Sequence, residues 1–592
     1  MSHAPYTDSW NQEPPRIYNP YLTDTSLLDI LHTKLSKEIR EKVNDDLVRF
    51  GKRCITEIKN LGDQAENHHP KLHHFDAWQR RVDEIETSTA WKRLNDISAE
   101  EGLVSTGFNR KVLVKISLSR SNLNCRKPTK DLPAQIPKYF WTSGQWMTEK
   151  RGGSDVSLAT RTVAFPNKNQ DFNTDHELNG VKFFTSATDS QMTFTLARIV
   201  PDRKDINEKE LDKIPLSLFF VKMRDEATNQ LNGIQIHKLK QKLGTKALPT
   251  AELSLVNTKA LLVGQPGRGI SNISYMLNIT RLYNSISAVS RMRRVVNIAR
   301  DYAQRRIAFG RTLSELPLHA RTLSELECEV RGCLHLVMDQ VDRMGRLEHA
   351  ELNNKSIDPI EATLLRLLIP VTKLYTAKKC VAVVSEGLEC LGGQGYIEDT
   401  GVPVYLRDSQ VLSIWEGTTN VLSMDVLRVL QKQPDAIQTF LQRVVQNCKV
   451  NQKKLSEQDE LRVKYCTKNI LSSVDQLKSD LLYASKQKLI ELCSRQLSMS
   501  IAHIYIASLL LVHCGENKSD RTDVSADVQC LYQYVTMHAP LCKIVGPAVS
   551  GETLSDIVSR ERLLVSDSNG SGRFGSKVDE VIFTPYGIKS RM

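Results

Sequence analysis

The hydrophobic period of this chain changes twice, near residue 141 and again near residue 264, and that double switch restricts it to a helical, then β, then helical order. Between 24 and 99, Leu27, Leu28, Ile30, Leu31 and Leu35, then Val43, Leu47, Ile55 and Ile58, recur at three- and four-residue spacing, which predicts a helical domain. From 141 to 264 the pattern shortens to TRTVAF, LSLFFVKM, GIQIHKL and AELSLVN, parted by NG, PN and GT turn signals, so a small antiparallel β domain is expected. The helical period then returns; Leu323, Leu326, Val330, Leu334, Val337 and Val341 mark one helix face, and Pro434 supplies a break. Beyond it lie a further helical block, with a very apolar helix around 501–512, and a Ser/Gly-rich tail near 567–576. The expected fold is mostly α with a central β domain: residues 1–140 helical, 141–265 β, 266–434 helical, and 435–592 an extra helical domain with a flexible tail.

Bulk properties narrow the function classes. At 592 residues the chain has room for about four domains of ordinary size. Its 80 basic residues against 68 acidic ones, net +12, are a mild excess that phosphate-bearing small molecules explain as well as nucleic acid does. The 12 cysteines contain no CxxC pair, which argues against a zinc site or a disulfide scaffold. His68, His69, His73 and His74 are interrupted by Pro70 and completed by no carboxylate or Cys pattern, while Cys328, Cys333 and His335 lack ligand spacing, so no metal is expected. The N-terminus has neither a secretory run nor a mitochondrial transit pattern, and the apolar stretch 501–512 reads as too short to span a bilayer, so no membrane is expected. Ser590, Arg591 and Met592 have the order of a peroxisomal address, giving a cytoplasmic or peroxisomal expectation.

Five segments hold residues that could do chemistry. In GQWMTEKRGGSDV, 144–156, two glycines before Ser154 and Asp155 let backbone amides approach a ligand, and the Thr148 and Ser154 hydroxyls can bond a ring system or phosphates; a simple turn reads equally well. In NGVKFFTSA, 179–187, Phe184 stands near Ser186, though strand aromatics are more often core. RRIAFGR, 305–311, ends a helix with basic residues and Gly310, suited to a pyrophosphate or to plain solvation. LGGQGY, 391–396, follows a helix rather than a strand and matches a Rossmann fingerprint poorly. In IWEGTTNVLSMDVLR, 414–428, Glu416 has almost no charge near it before Asp425. A carboxylate in apolar surroundings suits a base that takes a proton from a carbon beside a carbonyl, whereas a lone loop Glu is usually just exposed.

In this order the five segments resemble the acyl-CoA dehydrogenase family. The forms GQWMTEKRGGSDV and IWEGTTNVLSMDVLR, with FDAWQRRVDEIETSTAW (75–91) and the extra C-terminal block, are similar to its AidB-like branch. The resemblance implies an N-terminal α domain, a middle antiparallel β domain and a C-terminal α bundle, carrying FAD and a fatty acyl-CoA in a homotetramer built as a dimer of dimers. It implies that Met147, Thr148, Gly153, Ser154, Phe184, Thr185 and Ser186 line the flavin. Arg306, with Phe309, would hold the FAD pyrophosphate across a subunit interface, and Glu389, Gly392, Gly393, Thr418, Thr419 and Asn420 would complete the nucleotide site. Ser154, Asn278, Arg281, Gly417 and Arg428 are the implied CoA and thioester contacts. The implied reaction is α,β-dehydrogenation to a 2-enoyl-CoA with Glu416 as base, its backbone N–H polarising the thioester carbonyl, and an electron-transferring flavoprotein as the family's usual acceptor.

One departure from the family stands out. The stretch RKVLVKISLSRSNLNCRKPTKDLPAQIPKYF, 110–140, is basic and lacks helical period where the family has apolar helices walling the acyl pocket, so it reads as atypical or truncated. That motivates a second hypothesis, an acyl-CoA-binding or sequestering regulatory flavoprotein with little turnover. A third, a nucleic-acid-associated protein, draws on the 11 Lys/Arg against 6 Asp/Glu between 443 and 500, an excess that a solvated helix face explains better.

Overall fold

The computed structural model describes residues 13–103, 141–166, 175–201, 207–225, 228–449, 455–515, 524–544, 554–566, 581–584 and 587–590. The expectations placed on 110–140, on the 567–576 tail and on Arg591 and Met592 fall outside them.

After a short helical turn at Pro20–Thr23 the N-terminal region forms helices α1 (Thr25–Lys34), α2 (Lys37–Ile55) and α3 (Glu57–Asn67), capped where the chain offers a side-chain oxygen, as Asp24 to Leu27 N–H and Ser36 to Ile39 N–H. The 24–99 stretch is not wholly helical, contrary to its reading above. An antiparallel hairpin, β1 (Lys71–Phe75) and β2 (Arg81–Glu86), separates α3 from α4 (Thr89–Glu100). Its cause is an alternating pattern: Leu72 and Ile85 pack against the core of the β domain, and the buried Asp83 accepts from the Ile236 N–H at 3.0 Å. His73 and His74 are spent on Glu86 and Asp83.

Seven strands form the middle domain: β3 (Ser143–Trp146), β4 (Val163–Pro166), β5 (His176–Ser186), β6 (Met192–Ile199), β7 (Leu216–Lys222), β8 (Ile234–Leu239) and β9 (Thr250–Val263). Pairing runs β3-β6-β4-β5-β9-β7, with β8 on β9, and β6 also pairs β7, so β6, β4, β5, β9 and β7 close on themselves. The ladders are antiparallel except where β3 and β4 meet β6 in parallel. Closure buries Trp146, Leu178, Phe219 and Leu253 inside and leaves few free edges.

The bundle is built on three long helices, α5 (Gly269–Arg305), α6 (Pro317–Leu352) and α7 (Pro359–Glu389), followed by α8 (Pro403–Leu412) and α9 (Thr419–Lys432). Pro at the first position and Asp358 accepting from the Ile360 N–H start α7, whose residues from Leu367 to Ala377 are buried all round. A small cluster of Met147, Leu196, Leu218, Ile273, Met276 and Leu277 fastens the β domain to the first turns of α5.

The extra helical block comprises α10 (Ala436–Asn447), α11 (Glu457–Lys486), α12 (Ser494–Gly515) and α13 (Ser525–Met537). The apolar stretch is longer than it reads in sequence: α12 has 22 residues and is apolar and long enough to cross a membrane, yet 78% of its apolar window is buried, as in a core helix. A polar knot also ties this block to the bundle. Glu329 on α6 accepts from the Tyr375 hydroxyl at 2.7 Å and from Lys379 Nζ at 3.0 Å on α7, and lies 2.9 Å from His538 Nε2, while His503 on α12 stacks on His538. Four of the basic residues of 443–500 are in ion pairs, Arg443 with Glu361, Arg462 with Asp459, Lys464 with Glu460 and Lys478 with Asp475.

Candidate functional site

The turn between α8 and α9 holds Glu416 in the left-handed region, φ +56°, with Gly417 following at φ +101°. A non-glycine residue held there costs about 1–3 kcal/mol and persists only where its surroundings over-determine it. They do. Lys373 Nζ, from the middle of α7, donates to the carbonyls of Trp415 (2.7 Å) and Gly417 (2.6 Å). Trp415 Nε1 donates to Asn284 Oδ1 at 2.9 Å, and Asn284 Nδ2 donates to the Leu412 carbonyl at 3.1 Å. The Thr280 hydroxyl donates to Glu416 Oε2 at 2.6 Å and fixes the carboxylate itself. Lys373 is 1% exposed; burial pulls its pKa down to about 7, with Arg281 acting in the same direction and Glu416 opposing.

Beside this turn, three guanidinium groups converge on one carboxylate. Arg281 of α5, Arg366 of α7 and Arg428 of α9 meet Asp425 at 2.8, 2.8 and 3.3 Å. Burial raises the Asp425 pKa, but the Arg366 and Arg281 contacts outweigh it and leave it below its ordinary value. Three cations on one anion leave a positive surplus, carried outward by Arg428, whose side chain is 59% exposed. Asn278 lies half-buried one turn before Arg281.

The glycine-bearing loop lies flat on the β domain. A Cβ at Gly153 would come 2.6 Å from Thr148 Oγ1, and the Thr148 carbonyl accepts from the Phe183 N–H at 3.0 Å, which sets the loop beside the 183–186 strand. Its anchor is a buried pair: Glu149 accepts from Lys182 Nζ at 2.8 Å, the Thr162 hydroxyl at 2.6 Å and the Arg161 N–H at 2.6 Å. Met147 is half-buried, Ser154 and Phe184 are exposed, and Ser186 Oγ is 3.1 Å from Thr250 Oγ1. Thr185 is fully buried and spends its hydroxyl on the Ala251 carbonyl.

The third set of residues sits at the opposite end of α5. Arg306, Leu391, Gly392 and Gly393 line a cavity of 460 Å³ with Tyr302 and Ile397, and a Cβ on either glycine would meet nothing. Arg306 leaves the helix in an extended conformation and enters a tight hairpin, Ile307–Ala308 against Arg311–Thr312, whose two loop residues both have positive φ, Phe309 +55° and Gly310 +78°. That turn thrusts Phe309 to 90% exposure, close in sequence to the exposed Ile307. Glu389 is exposed, Thr419 buried, and Asn420 Oδ1 accepts from Arg495 at 3.1 Å.

The structure thus gathers Glu416, Gly417, Arg281 and Arg428 into one site, the 147–154 loop and Phe184 onto one face of the β domain, and Arg306 with Gly392 and Gly393 into a third group. Lys373, Thr280, Asn284, Arg366 and the Glu149–Lys182 pair were not anticipated. A lone lysine in the apolar run LLRLLIPVTKLY was the one signal available for Lys373. Elsewhere, Asp29, His513 and Asp527 are buried with ligand-type atoms within 4.8 Å of one another, but Arg331 Nη1 already stands 3.3 Å from Asp527.

Domain-family models match in order along the chain: the AidB N-terminal domain over 11–120, the acyl-CoA dehydrogenase middle domain over 144–258, the acyl-CoA dehydrogenase C-terminal domain over 267–431, and an acyl-CoA dehydrogenase 11 C-terminal domain-like model over 435–565. The chain is 40% identical to acyl-CoA dehydrogenase family member 11 of Caenorhabditis elegans over 90% of each, and 29% identical to the putative acyl-CoA dehydrogenase AidB of Escherichia coli K12 over 70% of this chain and 78% of that one. The crystal structure of Caenorhabditis elegans ACDH-11 in complex with C11-CoA superposes with a TM-score of 0.85 at 36% identity, covering 97% of this chain and 99% of that one. The chain belongs to the acyl-CoA dehydrogenase family.

Proposed function

We propose that this protein is a FAD-dependent dehydrogenase that converts a fatty acyl-CoA to its 2-enoyl-CoA, with Glu416 as the base. The observation that carries the reading is Glu416 itself: a carboxylate fixed by Thr280 on a turn held in the left-handed region, beside a cationic surplus suited to an acyl-CoA's phosphates. The residues present fit a flavin dinucleotide, since Phe184 offers an exposed aromatic face near the Gly153 loop, and the bare glycines 392 and 393 leave room beside Arg306 for a pyrophosphate. When bound, FAD supplies the acceptor for the hydride that leaves the β-carbon.

The remaining steps fall to this chain's own residues. Glu416 takes the α-proton, and its backbone N–H donates to the thioester carbonyl as negative charge develops on oxygen. Arg281 and Arg428 favour the anionic end of the CoA. At 1.5 Å per residue, roughly 36 Å of α5 separates Arg281 from the helix end that precedes Arg306, more than one dinucleotide reaches, so each cofactor would bridge two protomers. The exposed Phe309 fits that role as a subunit contact, consistent with a dimer of dimers.

The experiment is an anaerobic titration of the yellow protein with butyryl-, octanoyl-, undecanoyl- and palmitoyl-CoA. Bleaching of the flavin with one length class, abolished in Glu416→Gln while binding persists, is expected. Binding without bleaching in the wild type would leave the acyl-CoA-sequestering function, for which the C11-CoA held by the worm relative is the supporting observation.

A further inference from the structure

Lys373 is an unusual residue to bury in the most apolar part of α7: a cation, 1% exposed, flanked by Thr372 and Leu374. Its two hydrogen bonds do not go to a carboxylate. They go to backbone carbonyls on either side of Glu416, those of Trp415 and Gly417. A trans peptide is planar and its C=O and N–H point in opposite directions. Drawing the Trp415 carbonyl toward Lys373 therefore aims the N–H of the same peptide unit, which belongs to Glu416, away from α7. Among the described residues nothing accepts a hydrogen bond from that N–H. On the other side of the turn, Thr280 holds the Glu416 carboxylate.

We propose that Lys373 is a positioning residue for the dehydrogenation, clamping the 415–417 turn so that the Glu416 carboxylate and the Glu416 N–H address the same acyl thioester. This rests on the dehydrogenase reading above. When protonated, the amine has a second effect: placed behind the carbonyl, it polarises the peptide and makes the N–H a stronger donor to a carbonyl oxygen gaining negative charge. Lys373 touches neither substrate nor cofactor; it acts through the turn. Burial lowers its pKa to about 7 against the opposing pull of Glu416, and among the described residues it forms no ion pair at contact distance. Asn284, which holds Trp415 and Leu412, braces the same turn from α5.

The test uses the full-length, FAD-loaded protein and two replacements. Lys373→Met keeps an unbranched chain and removes the donors; Lys373→Gln keeps two donor hydrogens on a shorter, neutral chain. Flavin bleaching by octanoyl- or undecanoyl-CoA and exchange of the thioester α-proton in deuterated buffer are followed, with affinity measured separately in a Glu416→Gln background. Both variants are expected to bind within about threefold of their parent but to bleach, and to exchange the α-proton, at least tenfold more slowly, since one lost donor to a developing oxyanion costs roughly 10²-fold. A melting scan identifies a variant that fails to fold, and the other then decides. Bleaching within about threefold of wild type overturns the proposal, as does a loss of affinity as large as the loss of rate. A flavin-loaded wild type that binds acyl-CoA without bleaching instead sinks the dehydrogenase reading and this proposal with it.

Discussion

Two buried lysines in this protein illustrate two ways of keeping a cation out of water. Lys182 is wholly buried, and its charge is compensated by Glu149, whose remaining lone pairs are filled by Thr162 and Arg161. Lys373 has only carbonyls. The first arrangement is structural, because Glu149 sits at the root of the glycine loop and Lys182 on the strand leading to Phe184. Removing one partner of such a pair leaves an uncompensated buried charge, at a cost of about 3–5 kcal/mol. Lys182→Met should therefore lower the unfolding free energy by about that much and reduce bound flavin, with urea titration and visible absorbance as the readouts; an unchanged unfolding free energy would show that the pair is dispensable.

The elements meet where sequence patterns end, and charge does the joining there. The extra helical block docks through Glu329 on α6 and the stacked His503 and His538. Burial, His538 and Lys379 bring His503 down to about 3 from its ordinary 6.5, so the unfolded chain binds a proton there first and stability is lost as pH falls below about 6.5. Burial pushes Glu329 up, but His538, Lys379 and Tyr375 outweigh it and leave it near 2, against 4.5 when free. Its contribution is present above about pH 4.5 and is lost on further acidification, the same direction. Urea midpoints measured from neutral to acid pH should fall in both windows, and His503→Asn should flatten only the upper one. The element order itself was legible, because a switch of period from 3.6 to 2 survives in any sequence. The β1–β2 hairpin was not, since His73, His74, Arg81 and Glu84 mask its alternation. Nor were Lys373 and Arg366, because their meaning depends on partners on α9 or the turn before it that no local spacing reveals. Glu416 was legible only through its motif.

Across the whole molecule, α5 is the ruler. It is 37 residues long, begins against the β domain, passes the Glu416 turn at Thr280 and Arg281, and ends at the hairpin that displays Phe309. A residue that spends conformational strain to expose an aromatic ring needs a reason, and the proposed second protomer would supply one. Phe309→Asp should leave the protomer's melting temperature within a few degrees of wild type while shifting light scattering toward smaller species and lowering flavin content. An oligomer of unchanged size with full flavin would remove Phe309 from the interface.

If one rod serves two cofactors, inheritance and chemistry use different units. The gene specifies a chain, but the working centre would then be assembled from the front of one chain and the back of the next. A cell carrying one copy damaged at Glu416 and another damaged at Arg306 would then still build some sound centres, each drawing its intact half from a different allele, though neither allele alone could build any.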